Sequence, residues 1–223
     1  WLELSMNVPA LAARFSDIGE LLVNTRIAAD IVGATPMDRP EWITVGADDQ
    51  VYCALTNNSR RTVADAANPL APNADGHIIR WSETHGFGGL YFAWNIFLIA
   101  EDTHGADNED TFSDPDGLWA DPDGRLFIQT DGGQKKDLNN QMLVADIMTG
   151  ELRRLFTGVT DCEITGITVT PDRRTMFINV QHPGDGDPSA TNFPVPNGVP
   201  DGVTIPRDAT VVITRKDGGV IGS

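Results

Sequence analysis

Basic residues are scarce in this chain. Its 223 residues include 16 Lys and Arg against 32 Asp and Glu, which gives a formal net charge of −16. Such an excess of negative charge repels phosphate backbones and anionic lipid headgroups. We therefore expect neither nucleic acid nor a membrane as a partner. Two interpretations of the acidic residues stay open: a solvated acidic surface, or a set of ligands for bound cations.

Long apolar runs and cysteines are also scarce. No run of about 18 apolar residues occurs, so the sequence predicts no transmembrane helix. Cys53 and Cys162 lie far apart and do not have the spacing of zinc ligands. Apolar residues surround Cys53 in a strand pattern, and we expect it to be buried as a small hydrophobic side chain. Neither cysteine indicates a redox compartment.

Residues 112–133 predict a β-hairpin with acidic residues at its open end. Alternating apolar positions lead into the turn sequence Asp-Pro-Asp-Gly at 121–124, and the apolar run 126–128 leads back. Because an antiparallel hairpin brings its own start and finish together, Asp116 and Asp131 should lie on the same edge of the sheet.

Two further segments, 38–59 and 162–184, repeat the plan of this hairpin. Ile43, Leu118 and Ile167 occupy matching positions. A repeat of about 40 to 50 residues with four strands per unit is typical of β-propeller blades. The longer first interval predicts an insertion at about 60–110. Three such hairpins do not close a ring of about four to eight blades, so we expect an all-β fold that is a partial β-propeller.

The remaining elements follow from local patterns. Residues 1–16 look irregular and are interrupted by Pro9, and one helix is predicted over 18–32, capped by Ser16 or Asp17 and ended by Gly33. An irregular loop rich in Pro and Gly is predicted at 183–209. Further strands, most of them outer strands of the blades, are predicted at 78–81, 92–100, 141–146, 152–156 and 210–214.

Residues just before the first strand and just after the second strand of each hairpin should line one rim of the propeller channel. Carboxylates with an amide oxygen suit a hard cation such as Ca²⁺, and carboxylates also serve oxidised iron. An anionic substrate would then be held by the metal and Arg39 together. The rim set comprises Arg39, Glu41, Asn57, Asp116, Asp131, Glu163 and His182.

Alternative interpretations apply to these residues one by one. Asn57 and Asp131, taken singly, fit turn-closing residues at strand ends. Glu41 is expected at the mouth of a buried strand, where an unpaired carboxylate would be costly, and this favours a functional partner. Glu163 has the same character, whereas His182 is interpreted as structural. The aspartates 48, 121, 123 and 172 are predicted turn residues at the opposite end.

Several motifs in order resemble one protein family. These are DRPEWITV with TNNSRR, FSDPDGLW with FIQTDGG, CEITGITVTPD with MFINVQHPG, and the terminal VVITRKDGGVIG. Together they resemble the C-terminal part of the PhoX alkaline phosphatases, a calcium-dependent bacterial group. The similarity covers nearly the whole chain. The DPDG hairpin alone is less specific, because unrelated propellers such as the lactonases also contain it.

The resemblance implies a six-bladed propeller, export to the periplasm or exterior of a bacterium, and phosphoester hydrolysis at a cluster of ferric iron and calcium ions. It implies that Glu41 and Glu163 bind metal, that Asp131 is a further ligand and that Arg39 contacts phosphate. The family's cysteine ligand and other metal ligands would come from a part of the protein that precedes Trp1, and neither Cys53 nor Cys162 matches that cysteine. The opening on Trp1 without an initiator Met also suggests a piece of a longer chain.

Three functions remain in competition. The first is a metal-dependent phosphatase acting on a small-molecule phosphoester. The second is a calcium-dependent lactonase of similar build, which would need the carboxylates but no phosphate-binding arginine. The third is a non-catalytic propeller-like binding module. An interrupted propeller exposes apolar blade faces and strand edges, so we also expect the chain to self-associate.

Overall fold

The computed structural model describes residues 1–100, 111–134, 138–195 and 199–223. The chain divides into two compact units, one of Trp1–Met37 with Glu83–Ala93 and one of Asp38–Ser82 with Trp94–Ser223. Within these described ranges, no helix combines the length and apolar character that are needed to cross a membrane.

The first unit contains three short α-helices, α1 (Pro9–Ala12), α2 (Ile18–Val23) and α3 (Thr25–Ile31), and a 3-10 turn (Gly86–Gly88). The predicted single helix over 18–32 is wrong, because Asn24 leaves the helical conformation at φ −106° and ψ 34° and separates α2 from α3.

Two local signals explain where these helices begin. The Asp17 carboxylate accepts a hydrogen bond from the Glu20 N–H at 2.9 Å, which confirms the predicted cap of α2. Pro9 begins α1 instead of interrupting the chain, since a proline at the first helical position loses no hydrogen bond. Leu11, Phe15, Leu21 and Ala28 form the buried core of this unit.

The second unit is built on three antiparallel sheets, each following the chain order of its strands. The first sheet has β1 (Pro40–Val45), β2 (Val51–Leu55), β3 (His77–Glu83) and β4 (Phe92–Ile99). The second has β5 (Pro115–Ala120), β6 (Arg125–Thr130), β7 (Gln141–Asp146) and β8 (Leu152–Thr157). The third has β9 (Glu163–Val169), β10 (Thr175–Gln181) and β11 (Ala209–Thr214).

The three predicted hairpins are confirmed as the first two strands of each sheet. Ile43 pairs with Cys53, Leu118 with Ile128, and Ile167 with Ile178. β5 lies against β1 and β2 of the first sheet and against β9 of the third. Successive sheets are therefore neighbours, and the prediction of a partial β-propeller is confirmed.

The hydrophobic core lies between successive sheets. One buried cluster joins Tyr52 and Ile78 of the first sheet to Leu118 and Leu126 of the second. Another buried cluster joins the second sheet to the third, with Phe127, Met142, Ile164, Met176 and Ile178 among its members. Each such side chain stabilises the fold by about 1.5–3 kcal/mol. This packing fixes the three hairpins relative to one another.

Both cysteines are free and buried. Burial raises the pKa of Cys53 to about 11, and it raises the pKa of Cys162 to about 11 as well. Both side chains therefore stay protonated thiols near neutral pH. The interpretation of Cys53 as a buried small hydrophobic residue is confirmed.

The turn at 121–124 contains a buried carboxylate, Asp121, which is 2% exposed. It accepts hydrogen bonds from the Asp123 N–H at 2.9 Å and from Arg125 Nε at 2.7 Å. Arg173 from the third hairpin lies 3.7 Å away. Asp121 and Asp123 are therefore turn residues, as predicted, and they tie two hairpins together at this end.

The predicted insertion at about 60–110 and the predicted irregular loop at 183–209 are partly described. β3 and β4 fall within the span 60–110, whose residues 101–110 lie outside the described part, and an isolated bridge pairs Asn58 with Asn73. In the loop 183–209, a short 3-10 turn (Pro188–Ala190) is the regular element of the described residues.

β1 is more exposed than the sequence predicts. Trp42 is 38% exposed, Ile43 is 59% exposed and Val45 is 50% exposed. The expectation that Glu41 lies at the mouth of a buried strand is therefore wrong for the described chain. The physical reason is that β5 packs between the first and third sheets, whereas β1 has a neighbouring sheet on one side only among the described strands. β1 is also the edge strand of its sheet. An exposed apolar edge strand is a template for association.

We therefore expect the isolated chain to self-associate through β1. Replacing both Ile43 and Val45 by Lys should lower the associated fraction in sedimentation velocity, since charged residues block edge pairing. The control is Met148→Lys, which changes an 82% exposed side chain in a turn and should leave association unchanged. Equal association of the wild-type chain and the β1 variant would contradict this expectation.

Candidate metal centre

The predicted rim residues lie at one end of the three hairpins, opposite to the turn at 121–124. Each is placed by the start or finish of a strand, which is why the antiparallel pairing brings them to the same edge. Arg39 precedes β1, Glu41 is its second residue, Asn57 follows β2, Asp116 is the second residue of β5, Asp131 follows β6, Glu163 begins β9 and His182 follows β10.

Asp131, Glu163 and His182 form the tightest group at this rim. Each offers one ligand atom, and these atoms all lie within 4.8 Å of one another. His182 Nε2 lies 3.3 Å from Glu163 Oε2, and Glu163 is 8% exposed. Carboxylate and imidazole groups converging at this distance can hold a metal ion.

The sequence interpretation placed His182 at the rim but took it as structural, and it missed the grouping of His182 with Asp131 and Glu163 that the structure shows. The available signal was its position, because it follows the second strand of its hairpin as Asn57 and Asp131 do. Burial lowers the pKa of its imidazole, but the nearby backbone carbonyls of Asp161 and His182 and the Glu163 carboxylate outweigh this and raise it overall. A metal ion at this position would displace the proton from the ring.

Arg39 lies beside the carboxylates and is open to solvent. Its Nη1 donates to Asn57 Oδ1 at 3.3 Å, and its Nη2 lies 3.9 Å from Glu41 Oε1. The Asn57 amide in turn donates from Nδ2 to Asp114 Oδ1 at 2.6 Å. The Arg39 side chain is 58% exposed, so its guanidinium is accessible to an anion. We call Arg39, Asn57 and Asp114 the arginine clamp.

Asp114 is a second residue that the sequence interpretation missed. It is 4% exposed, and burial, with Asp75 and Asp131 nearby, raises its pKa to about 6 despite the hydrogen bond from Asn57. A Cβ on Gly132 would overlap the Asp114 carboxylate, so this approach requires glycine. The signal in the sequence was the match between Asp114-Pro115 and Arg39-Pro40 in the aligned hairpins.

Arg39 and Asp114 share an unfavourable backbone conformation. Their φ angles are 52° and 53°, in the left-handed region, and each precedes a proline. Proline disfavours compact backbone conformations in the residue before it, and a non-glycine residue with positive φ already costs about 1–3 kcal/mol. Such conformations persist where surrounding contacts hold them, and they are concentrated at functional sites.

Asp116 interacts electrostatically with Asp131 and Glu163 and also with Arg39 of the arginine clamp. Burial and the negative charges of Glu41, Glu163 and Asp131 together raise its pKa to about 6, whereas Arg39 lowers it less. The rim therefore carries more negative charge than Arg39 and His182 compensate. This excess charge fits a bound cation.

Asn57 differs from the predicted ligand role in its present contacts. Its amide oxygen accepts from Arg39 and its amide nitrogen donates to Asp114, so the side chain bridges the two. Its assignment as a metal ligand stays a prediction, as do those of Glu41, Asp116, Asp131 and Glu163.

Comparisons with known proteins show the family to which the chain belongs. The profile of the alkaline phosphatase PhoX family matches residues 1–184. A solved structure, Pseudomonas fluorescens PhoX in complex with vanadate, a transition state analogue, is 39% identical with a TM-score of 0.88. That match covers 100% of this chain and 42% of the solved chain. No curated protein matches the chain.

The blades and their acidic rim define a β-propeller protein with a candidate metal centre. The chain belongs to the PhoX alkaline phosphatase family, which confirms the resemblance read from the sequence.

The raised pKa of Asp116 predicts a gain in stability when its charge is removed. Folded Asp116 keeps its proton up to about pH 6, whereas the unfolded residue loses it near pH 3.8, so stability is lost as the pH rises through this window. We expect Asp116→Asn to raise the free energy of unfolding of the metal-free chain at neutral pH by about 1–2 kcal/mol, after allowance for solvent screening.

Urea unfolding near pH 4 and near pH 7 measures this difference, which should be smaller at the lower pH. Asp172→Asn is the matched control, because hydrogen bonds from Thr170 and Arg174 lower the pKa of that turn aspartate and its replacement should give no gain. A loss of stability at neutral pH in Asp116→Asn would show that the carboxylates do not repel one another in the folded chain.

Proposed function

We propose that the protein carrying this chain is a metal-dependent phosphatase that hydrolyses phosphomonoesters at the rim. The observation that supports this most strongly is an accessible guanidinium beside a cluster of carboxylates. Arg39 lies 3.9 Å from Glu41 and in the same cluster as Asp116, whose pKa it lowers. Because the chain spans 42% of the solved PhoX chain, the activity is a proposal for the complete polypeptide.

The metal ions of the proposal are Ca²⁺ and Fe³⁺. Glu41, Asp116, Asp131 and Glu163 would hold them with carboxylate oxygens, which suit both ions, and the imidazole of His182 suits iron. When bound, such ions supply Lewis-acid activation of a phosphoryl oxygen or of water. The excess of negative charge around Asp116 supports this assignment.

Arg39 would bind the phosphoryl group and neutralise charge that develops on its oxygens. A guanidinium offers several N–H donors in a planar arrangement that matches phosphate. In the folded chain, Asn57 orients one of these donors, and Asp114 holds Asn57 in turn. The clamp would thus orient the guanidinium before substrate binds, which favours electrostatic stabilisation.

Arg39 also separates the leading function from its competitors. A calcium-dependent lactonase would need the carboxylates without this arginine, and a binding module would need neither a metal nor a reactive geometry.

Export to the periplasm or exterior of a bacterium belongs to the same proposal, and it is supported by membership of the family alone.

The first functional prediction compares the two ends of the hairpins in the complete polypeptide. Glu41→Gln and Glu163→Gln should each lower kcat on an aryl phosphate by at least about 100-fold, because each removes the charge of a proposed ligand. Asp123→Asn, in a turn at the far end, should stay within about twofold of wild type, because that carboxylate is 48% exposed and forms surface ion pairs.

Hydrolysis is measured with and without added Ca²⁺ and iron. Equal losses from all three substitutions would place the site at the other end of the hairpins. Hydrolysis of a lactone without hydrolysis of the aryl phosphate would replace the phosphatase proposal with the lactonase alternative.

The second prediction concerns the 223-residue chain by itself. It should bind Ca²⁺ weakly and show little or no phosphatase activity, because a metal site needs its full number of ligands at fixed geometry. Isothermal titration with Ca²⁺ and an aryl phosphate assay on the isolated chain test this. Full activity with stoichiometric bound iron would show that these residues form a complete site.

A further inference from the structure

A buried polar network lies directly behind the arginine clamp. Its centre is Asp38, which is 0% exposed and immediately precedes Arg39. The Asp38 carboxylate accepts hydrogen bonds from Arg61 Nε at 2.6 Å, Asn58 Nδ2 at 2.9 Å and Asn73 Nδ2 at 3.0 Å. A buried charge is costly unless it is paired and hydrogen-bonded, and both of its oxygens are satisfied here.

His77 holds the side chain of Asn73 in place through a hydrogen bond. His77 is 0% exposed, and burial lowers its pKa, so the ring stays neutral near pH 7. With its Nε2–H donated to the Ala67 carbonyl at 2.8 Å, its Nδ1 accepts from Asn73 Nδ2 at 3.0 Å. Asn73 therefore donates to Asp38 and His77 together, which fixes its orientation.

The network contacts the clamp first through the backbone around Arg39 and Asn57. The Arg39 carbonyl accepts from the Thr56 N–H at 3.1 Å. Asn58, next to Asn57, exchanges two backbone hydrogen bonds with Asn73 at 2.6 Å and 3.2 Å. The start of the loop after β2 is thus anchored to Asn73, which binds Asp38, and Arg39 is joined to the same loop through Thr56.

The network also reaches the clamp through Asp114. Asn73 Oδ1 accepts from the Gly76 N–H at 3.0 Å, which closes a tight turn. Within this turn the Asp75 carbonyl accepts from the Asp114 N–H at 2.8 Å, and the Asp75 carboxylate accepts from Ser113 Oγ at 2.7 Å. All three members of the clamp are therefore attached to the Asp38 network.

We propose that Asp38 is a positioning residue for phosphate binding, which rests on the function proposed above. Asp38 contacts neither Arg39's guanidinium nor the rim carboxylates in the hydrogen bonds described. Its effect is to hold the loops that carry Arg39, Asn57 and Asp114, so that the guanidinium faces a phosphoryl group in one orientation. A residue with this role affects the affinity for phosphate beyond any loss of stability.

The test uses Asp38→Asn in the complete polypeptide, with inorganic phosphate as the probe. Asp121→Asn is the matched control, because Asp121 is 2% exposed and also paired with an arginine, Arg125, at the far end of the hairpins. Both variants should lower the melting temperature. We expect Asp38→Asn alone to raise the inhibition constant of phosphate and the KM of an aryl phosphate by about tenfold or more, with a smaller change in kcat.

Asn58→Ala is a milder second variant. It tests the positioning role if Asp38→Asn does not fold. It removes one of the three donors to Asp38 and should weaken phosphate binding by about threefold in the same direction. Wild-type phosphate affinity in folded Asn58→Ala, or equal weakening in Asp38→Asn and Asp121→Asn, would overturn the positioning role. A wild-type protein that neither binds phosphate nor hydrolyses the ester would instead overturn the proposed function, and with it this role.

Discussion

Repulsion among carboxylates at one rim of the blades is the constraint on which the rest of the structure depends. Burial and the charges of Glu41, Glu163 and Asp131 together raise the pKa of Asp116 to about 6. The convergence of carboxylates that repel one another lowers the stability of the folded chain, so another interaction must hold them together. The packing between successive sheets holds them there, and a bound cation would convert the repulsion into attraction.

Local backbone strain is also present at this end of the hairpins. Arg39 and Asp114 both adopt left-handed conformations, with φ of 52° and 53°, and both precede a proline. At the other end, the turn at 121–124 has a buried ion pair at Asp121, and Asp49 and Arg173 in the neighbouring turns also have positive φ. The unfavourable charge is therefore concentrated where the proposed chemistry takes place, as is common at active sites, whereas left-handed backbone occurs at both ends of the hairpins.

Much of the fold and part of the site follow from the sequence because their causes are local. Period-two alternation and Asp-Pro-Asp-Gly turn chemistry predict the hairpins, and antiparallel pairing then places Asp116 and Asp131 at one edge. Asp114 was missed because its burial depends on Gly132 and Asp75, which are distant in sequence. The exposure of β1 was missed for a similar reason, since burial depends on which sheet covers a strand. The break at Asn24 lies within an apolar pattern that continues through it.

The central claim is that the rim binds metal through the carboxylates of the hairpins. Anomalous diffraction from crystals of the complete polypeptide tests it most directly, because it locates each metal ion by element. The account predicts an anomalous peak within about 2–2.6 Å of carboxylate oxygens of Asp131 and Glu163, the range for metal–oxygen bonds to iron and calcium. Metal ions bound elsewhere, with these two carboxylates free of any ion, would contradict it.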